Sequence, residues 1–267
     1  MMGATLKDGL DGLDGRVAVV TGAAQGIGAA VATAIVQLGG SVAAVDVNTM
    51  GVERLADKLT ADGHRAAAYP ADIRDTAAVE RTVARVERDL GPIDILVNVA
   101  GILRTGPVLD LTDEDWAAVF DVNTAGVFRV CRAVARRMVG RGSGTIVTVS
   151  SNAAGVPRTR MAAYASAKAA TSHFTRCLGL ELAAHGIRCN VVAPGSTDTE
   201  MQRSLWTDGV DADAVVRGSL EQHRIGIPLG RLAQPGDIAD TVAFLASDRA
   251  RHITMQEIYV DGGAALR

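Results

Sequence analysis

Tyr164 and Lys168 are the two residues whose types and spacing most clearly permit chemistry. Four residues apart on a helix, they would lie on one face, one turn from each other. A tyrosine hydroxyl has a pKa of about 10, so a base near neutral pH needs a depression of about two to three units, or about 3–4 kcal/mol. A neighbouring ammonium group favours the phenolate and contributes part of that energy. The pair indicates acid–base chemistry, although its spacing alone also fits a surface helix without a catalytic role.

The composition favours a single domain that acts on a small molecule. No linker, charge block or repeat divides the 267 residues, so we expect one catalytic domain over residues 15–267. The net charge of −3 offers no basic surface for nucleic acid. No apolar run approaches the ~20 residues that cross a membrane, so no membrane partner is expected.

The chain start and the cysteines indicate a cytoplasmic protein. Residues 1–14 lack the basic start and apolar core of a signal peptide, and we expect them to form a flexible N-terminal tail. Cys131, Cys177 and Cys189 are odd in number and scattered, which predicts reduced thiols. The five histidines lack ligand spacing, so no metal site is predicted.

Apolar runs alternate with helical patterns along almost the whole chain. Strands are predicted over residues 16–20, 41–47, 66–69, 93–98, 145–150, 188–193 and 258–260. Helices are predicted over residues 26–38, 52–61, 76–89, 113–138, 161–184 and 235–246. This alternation predicts a Rossmann-type, doubly wound α/β fold with a parallel sheet of about seven strands and helices on both faces. Segment 196–230 interrupts the rhythm and is expected to form a substrate lid.

The turn after the first strand is rich in glycine and opens a helix. Such a turn lets a pyrophosphate approach backbone N–H groups, and the helix N-terminus favours the anion. The spacing is G-x-x-x-G-x-G rather than the usual dinucleotide pattern. The residues predicted to bind the cofactor here are Gly22, Gln25, Gly26, Ile27 and Gly28.

Three further strand ends extend the predicted cofactor site. Asp46 ends the second strand about 20 residues after the glycines, where a carboxylate accepts from a ribose hydroxyl and repels a 2′-phosphate. It therefore favours NAD over NADP, although a helix cap is the other interpretation. Asp72 and Ile73 would flank the adenine. At the end of the fourth strand, the tight turn of Asn98, Ala100 and Gly101 would lie beside the cofactor.

Together these motifs resemble the short-chain dehydrogenase/reductase family over residues 14–267. The shared positions are T-G-x-x-x-G-I-G at 21–28, N-V-A-G at 98–101, Asn123, Ser150, Ser151, Tyr164, Lys168, Pro194 and Gly195. Val99 stands where the family often has Asn, which puts nothing catalytic in doubt.

The resemblance implies a role for each matching residue. Tyr164 would be the catalytic acid/base, and Lys168 would bind the nicotinamide ribose and lower the pKa of the tyrosine. Ser151 would hydrogen-bond the substrate oxygen, with Ser150 as the alternative. Asn123 would hold a water in a proton relay, or would only satisfy local backbone. The implied contacts to the carboxamide and phosphates come from Pro194, Gly195, Thr197 and Thr199.

A second set of segments is A-G-I-L-R at 100–104, P-R at 157–158, R-C-N-V-V at 188–192, P-G-S-T-D-T-E-M-Q-R-S-L-W at 194–206 and H-I-T-M-Q at 252–256. These segments resemble the members of this family that oxidise a ring hydroxyl of a cyclic hydroxy-carboxylate to a catechol used in siderophores. Such a substrate needs a cation, and arginine suits bidentate carboxylate binding. The candidate substrate residues are Arg104, Arg158, Met161, Met201, Gln202 and Trp206, together with Ser151. Arg160 and Arg203 are weaker candidates, and for every arginine a solvated charge or a subunit ion pair is the other interpretation.

Three alternatives remain open from the sequence. One is a dehydrogenase of the amino analogue, 2,3-dihydro-3-hydroxyanthranilate, which the sequence separates poorly from the hydroxy acid. Another is a 3-oxoacyl reductase that uses NADPH, which Asp46 argues against. The third is a nucleotide-sensing regulator, which has no need of the catalytic spacing. The family is usually tetrameric, and Ala-rich faces on the helices predicted at 113–138 and 161–184 fit a homotetramer.

Overall fold

The computed structural model describes residues 13–206 and 211–266. Its strands form one parallel sheet of seven strands in the order β3-β2-β1-β4-β5-β6-β7. The strands are β1 Val17–Thr21, β2 Ser41–Asp46, β3 Ala66–Pro70, β4 Ile93–Asn98, β5 Gly144–Val149, β6 Ile187–Pro194 and β7 Glu257–Val260. The predicted fold class is confirmed, and each predicted strand lies within two residues of its observed bounds.

Helices cover both faces of the sheet. They are α1 Gly26–Gln37, α2 Thr49–Ala61, α3 Thr76–Asp89, α4 Asp113–Phe120, α5 Val127–Arg141, α6 Ala162–Leu182, α7 Glu200–Arg203, α8 Ala212–Arg217 and α9 Pro235–Ala246. One start differs notably from its prediction: α2 begins three residues early, because the Asn48 side chain accepts a hydrogen bond from Gly51 N and caps it.

The helix predicted over 113–138 is interrupted by a wide turn, which the spacing of its apolar residues does not reveal. A π-helical turn at Asp121–Gly126 separates α4 from α5. Such turns are frequent at functional sites, because they redirect backbone groups without ending the helix. Asn123 lies within this turn and is fully buried.

The core has two layers, one on each face of the sheet. The first packs α1 and α9 against one face, and the second packs α3 and α5 against the other. β1 is buried along its whole length because helices cover both of its faces. Burial on both sides fixes the strand ends that carry the site.

Two predicted segments fall partly outside the described residues. The predicted tail at 1–14 is described only from Leu13, which is buried in the first core layer. The predicted lid at 196–230 is described except for residues 207–210, and it contains the short helices α7 and α8. None of the described helices is long and apolar enough to cross a membrane. The described residues also hold no cluster of three or more His, Cys, Asp or Glu that could bind a metal ion.

Candidate active site

A cavity lies at the carboxyl end of the sheet, beside the ends of β1, β4, β5 and β6. Its volume is about 1200 Å³ including space open to solvent. Eighteen of the predicted site residues line it: Gly22, Gln25, Gly26, Ile27, Gly28, Ala100, Gly101, Ser151, Arg158, Met161, Tyr164, Lys168, Pro194, Gly195, Thr197, Thr199, Met201 and Gln202. The predicted residues outside the lining are Asp46, Asp72, Ile73, Asn98, Arg104, Asn123 and Trp206.

The glycine turn is shaped for a close ligand. Gly22 has φ of +68°, and a Cβ there would lie 2.6 Å from Ala100 N. Gly26 has φ of +54° and faces the Thr199 methyl group, 3.3 Å from where its Cβ would be. Both positions therefore favour glycine for their backbone conformation, and Gly22 also requires it for space.

The start of α1 fits a dinucleotide phosphate. Gln25 precedes the helix, and no described side chain caps its first turn. Uncapped N–H groups at a helix N-terminus attract an anion, and here they border the cavity at Gly26, Ile27 and Gly28. These residues would hold the pyrophosphate of a dinucleotide.

Thr21 joins the glycine turn to the end of β4. Its Oγ1 accepts hydrogen bonds from Val99 N at 3.1 Å and from Ala100 N at 3.3 Å. The bonds hold Val99 and Ala100 against Gly22, where both residues line the cavity. Sequence reasoning did not single out Thr21, although its place before the first glycine was the available signal.

Asp46 supports the same turn from the end of β2. Its carboxylate accepts from Ala24 N at 3.1 Å and from Asn48 N at 2.9 Å. The charge therefore lies next to the glycine turn without lining the cavity. The cap of α2 comes from Asn48, so Asp46 is not simply a helix cap.

Three other predicted cofactor residues have structural partners. The Asp72 carboxylate binds the Arg74 side chain, 2.7 Å at the closest, and this hydrogen-bonded partner lowers the pKa of Asp72. Ile73 is buried in the second core layer. Asn98 is buried, and its Nδ2 donates to Cys131 Sγ and Thr148 Oγ1. The structure thus gives Asn98 a position in the core rather than on the cavity.

The predicted catalytic residues meet where β5 leads into α6. Lys168 is buried, and its Nζ donates to Val149 O at 2.9 Å and lies 5.8 Å from the centre of the Tyr164 ring. Ser151 is the second residue after β5, and its Oγ accepts from Ala153 N at 3.1 Å. Ser150 also lines the cavity, but its Oγ is engaged within the protein, donating to Lys168 O at 3.2 Å and accepting from Ser172 Oγ at 2.7 Å. The structure therefore favours Ser151 over Ser150 for substrate contact.

Burial sets the proton affinities of the pair. Burial raises the pKa of Tyr164 to about 12, although a hydrogen bond with Ser151 acts in the opposite direction. Burial lowers the pKa of Lys168 to about 8. The depressed tyrosine pKa expected from the sequence is therefore not a property of the protein alone, since desolvation outweighs the hydrogen bond with Ser151.

Asn123 holds the backbone beside this pair. Its Oδ1 accepts from Ile102 N at 2.8 Å, and its Nδ2 donates to Ile102 O at 2.9 Å. A Cβ on Gly101 would lie 3.1 Å from Asn123 Oδ1 and 3.5 Å from Lys168 Nζ. Asn123 and Lys168 therefore flank Gly101, and the Asn123 side chain bonds the backbone of Ile102 through both Oδ1 and Nδ2.

The arginines separate into two groups. Arg104 is exposed, and its Nε lies 3.3 Å from Asp115 Oδ1, so the structure does not bring it into the cavity. Arg158 lines the cavity and is partly buried. Arg224 also lines it, and sequence reasoning missed this residue because no motif marks its segment.

The remaining predicted substrate residues form two layers. Met161, Met201 and Gln202 line the cavity, together with Leu205. Trp206 packs in a small cluster with Val215, Ile227 and Leu232. It is not among the residues that line the cavity.

Comparison with known proteins matches this geometry. A family model described as "Enoyl-(Acyl carrier protein) reductase" matches residues 22–265. The chain belongs to the short-chain dehydrogenase/reductase family. It is 58% identical over 255 residues to 2,3-dihydro-2,3-dihydroxybenzoate dehydrogenase of Bacillus subtilis (strain 168), covering 96% of this chain and 98% of that one. The enzyme of the same name from Escherichia coli (strain K12) is 43% identical, covering 94% and 98%.

More distant relatives share the fold with other substrates. D-threitol dehydrogenase of Mycolicibacterium smegmatis is 38% identical over 96% of this chain and 95% of its own. A solved 7α-hydroxysteroid dehydrogenase in complex with NADH and 7-oxo glycochenodeoxycholic acid superposes with a TM-score of 0.90. It is 32% identical, covering 100% of this chain and 99% of that one. This NADH-bound relative and the family together support a nicotinamide cofactor for this chain.

Proposed function

We propose that this protein oxidises a ring hydroxyl of 2,3-dihydro-2,3-dihydroxybenzoate with NAD⁺, giving the siderophore precursor 2,3-dihydroxybenzoate. The observation that carries the proposal is one cavity shared by the glycine turn, by Ser151 and Tyr164, and by Arg158. The identity of 58% to a dehydrogenase named for this substrate supports the same reaction.

Each catalytic side chain has one step in this proposal. Ser151 donates a hydrogen bond to the oxygen of the reacting hydroxyl and orients it. Tyr164 accepts the hydroxyl proton as that oxygen becomes a carbonyl. The bound nicotinamide supplies the acceptor for the hydride that leaves the ring carbon. Tautomerisation of the ketone to the aromatic diol then removes the first product and favours the forward direction.

Lys168 favours the phenolate form of Tyr164 only when its amine is protonated. The tyrosine pKa of about 12 in the protein alone makes the phenolate rare near neutral pH. A protonated Lys168 and the positive charge of an oxidised nicotinamide both favour the phenolate. Base catalysis should therefore be strongest once NAD⁺ is bound. Asn123 contributes by holding Ile102 and, in the proposed relay, a water near Lys168.

Asp46 supports NAD as the cofactor. Its carboxylate lies beside Ala24 of the glycine turn, where it would accept from a ribose hydroxyl and repel a 2′-phosphate. Replacing Asp46 with Ser should raise the ratio of NADP⁺ to NAD⁺ efficiency by roughly tenfold, about 1.4 kcal/mol. Steady-state kinetics with both cofactors measure this ratio, and an unchanged ratio would remove Asp46 from ribose recognition.

We infer that the protein is a cytoplasmic homotetramer. Cys131, Cys177 and Cys189 are all unpaired, which supports a reducing compartment. α5 and α6 expose Phe128 at 42% and Leu180 at 70%, and such apolar side chains suit contact with another subunit. Light scattering should give four times the mass of one chain, and a monomeric mass would exclude the assembly.

The experiment that tests the function combines a substrate panel with product identification. The protein should reduce NAD⁺ with 2,3-dihydro-2,3-dihydroxybenzoate and release the catechol acid, identified by its absorption spectrum. The amino analogue, 2,3-dihydro-3-hydroxyanthranilate, should react at least tenfold less efficiently. Higher efficiency with the amino analogue, or reaction only with NADPH and an acyl ketone, would replace the proposed function.

A further inference from the structure

Arg158 and Arg224 reach one cavity from distant parts of the chain. Arg158 lies in the loop between Ser151 and α6, and it lines the cavity together with Tyr164 and Met161. Arg224 comes from the segment between α8 and α9, more than sixty residues later, and lines the same cavity. Two cations thus border the space beside the reacting phenol.

The backbone around Arg224 is held tightly. Ser219 and Arg224 exchange two backbone hydrogen bonds of 2.8 Å, which form an antiparallel bridge. Gly218 has φ of +80°, and a Cβ there would collide with Gly226 N and Arg224 O. Ile227 N donates to Val216 O at 2.9 Å and closes the other side. Arg224 is therefore anchored at the cavity rather than carried by a free loop.

Neither guanidinium has an acceptor within residues 13–206 and 211–266. Other arginines of the same segment do, because Arg203 pairs with Asp198 at 2.8 Å and Arg231 with Asp237 at 2.7 Å. Those two pairs lie at the surface, whereas Arg158 and Arg224 are partly buried. The contrast indicates that the acceptor for the cavity pair comes from a ligand.

The nearest carboxylate does not supply that acceptor. Asp261 attracts Arg158, but its Oδ2 accepts from Asn152 Nδ2 at 3.1 Å and its Oδ1 from Gly263 N at 3.0 Å. No ion pair between Asp261 and Arg158 is found in the described structure. The guanidinium of Arg158 therefore remains available to the cavity.

The electrostatics of the pair favour a bound anion. Burial lowers the pKa of Arg158, and burial together with the charge of Arg158 lowers the pKa of Arg224. Two desolvated cations that repel each other are stabilised most by a carboxylate whose oxygens accept from both. A planar guanidinium pairs well with such a group.

We infer that Arg158 and Arg224 together bind the carboxylate of the substrate, and that Arg224 is a specificity-determining residue for acidic ring alcohols. The inference rests on the proposed function for the identity of the substrate. The glycine turn and the uncapped start of α1 would hold the cofactor phosphates. The arginines would therefore act on the substrate and leave cofactor affinity unchanged.

The test compares an acidic and a neutral ring alcohol. Kinetics are measured for the wild type, Arg158→Gln and Arg224→Gln with 2,3-dihydro-2,3-dihydroxybenzoate and with cyclohexa-3,5-diene-1,2-diol, which lacks the carboxylate. Each variant should lose about tenfold to a hundredfold in kcat/KM for the acid, mainly through KM, because a charged hydrogen bond is lost. Activity with the neutral diol should stay within about threefold. Equal losses with both substrates would overturn the inference.

Two further variants control for charge and folding. Arg217→Gln removes an exposed arginine of α8 in the same segment and should change neither substrate by more than about twofold. Arg224→Lys keeps the positive charge but lacks the bidentate guanidinium. It should retain more activity with the acid than Arg224→Gln does. An Arg217→Gln loss equal to that of Arg224→Gln would indicate a general charge effect and would overturn the inference.

A binding measurement separates this inference from the proposed function. Benzoate is titrated into the complex with NADH by calorimetry, for the wild type and both variants. Benzoate should bind the wild type at least tenfold more tightly than either variant, while NADH affinity stays equal. If the wild type binds benzoate in this way but does not oxidise the dihydroxy acid, the proposed function fails and the arginine pair stands. If benzoate affinity is the same in all three proteins, the arginine pair fails.

Discussion

Two regions of the cavity differ in how their side chains are held. The catalytic floor, formed by Ser151, Tyr164 and Lys168 with Asn123 outside the lining, is built from the end of β5, α6 and the π-helical turn. The substrate wall, formed by Arg158, Met161, Met201, Gln202, Leu205 and Arg224, stands on loops, helix ends and the short helix α7. In the floor, buried polar groups bond to neighbouring backbone, as Lys168 does with Val149 O. In the wall, two cations lack acceptors among the described residues.

This difference assigns the catalytic step to the floor and the choice of substrate to the wall. A floor built on core elements keeps a proton acceptor and its partners in fixed positions, which any hydroxyl oxidation requires. A wall built on connecting segments can change its charge and shape without disturbing the core. Proteins named for a threitol, a steroid and a dihydroxybenzoate are all similar to this chain over nearly its whole length.

The largest expected effect is a loss of kcat in the floor variant Tyr164→Phe. Replacing Tyr164 with Phe removes the proton acceptor while keeping the ring, so kcat should fall by roughly 10³-fold. NADH affinity should stay within about threefold, because the glycine turn is untouched. Stopped-flow kinetics and fluorescence titration of NADH measure the two effects. Activity close to the wild type would show that another group accepts the proton.

The two adjacent serines sharpen the comparison within the floor. Ser151→Ala removes the hydroxyl that faces the cavity, and kcat should fall by roughly 10²-fold. Ser150→Ala instead removes bonds to Lys168 O and Ser172 Oγ, so its main effect should be on stability, about 1–2 kcal/mol. Kinetics and thermal unfolding of both variants test this. The reverse ranking would assign substrate contact to Ser150.

The buried Lys168 ammonium should lower the free energy of unfolding, although the residue is needed for activity. Its pKa falls from 10.5 to about 8 on burial, so the ammonium destabilises the fold by about 3 kcal/mol near neutral pH. Lys168→Met should lose activity yet gain about 1–2 kcal/mol in free energy of unfolding, since losing the bond to Val149 O offsets part of the gain.

The pH dependence of this gain has a definite sign. Between about pH 8 and 10.5 the folded state holds fewer protons on Lys168 than the unfolded state, so wild-type stability rises with pH. The advantage of Lys168→Met should therefore be complete below about pH 8 and shrink above it. Above about pH 10, the raised pKa of Tyr164 acts in the opposite direction in both proteins. Urea unfolding across this range measures it, and a constant difference would contradict a buried ammonium.

The smallest expected effect concerns Arg104. It is exposed and paired with Asp115, so Arg104→Gln should change kcat/KM for the acid by less than about twofold. Arg158→Gln is the matched variant, because it removes a cavity-lining arginine. A KM rise for Arg104→Gln as large as that for Arg158→Gln would show that Arg104 contacts the substrate.

The floor was predictable from the sequence, and the wall only in part. The helical spacing of Tyr164 and Lys168, together with the family resemblance that added Ser151, predicted three residues that do line one cavity. Arg104 follows a strand end, but its side chain turns to Asp115 on α4, and spacing carries no information about that direction. Arg224 depends on a backbone bridge to Ser219 in an irregular segment, which no motif or period marks. The π-helical turn that places Asn123 is similarly invisible to hydrophobic periodicity.

The central claim is that the protein oxidises 2,3-dihydro-2,3-dihydroxybenzoate to the catechol acid with NAD⁺, and that Tyr164 accepts the proton. The most direct measurement is a single-turnover experiment in which the complex with NAD⁺ is mixed with limiting 2,3-dihydro-2,3-dihydroxybenzoate, and NADH and catechol acid are both quantified. We predict equal amounts of NADH and 2,3-dihydroxybenzoate, both formed by the wild type and neither formed at a comparable rate by Tyr164→Phe. Formation of NADH without the catechol acid, or of neither by the wild type, would contradict the account.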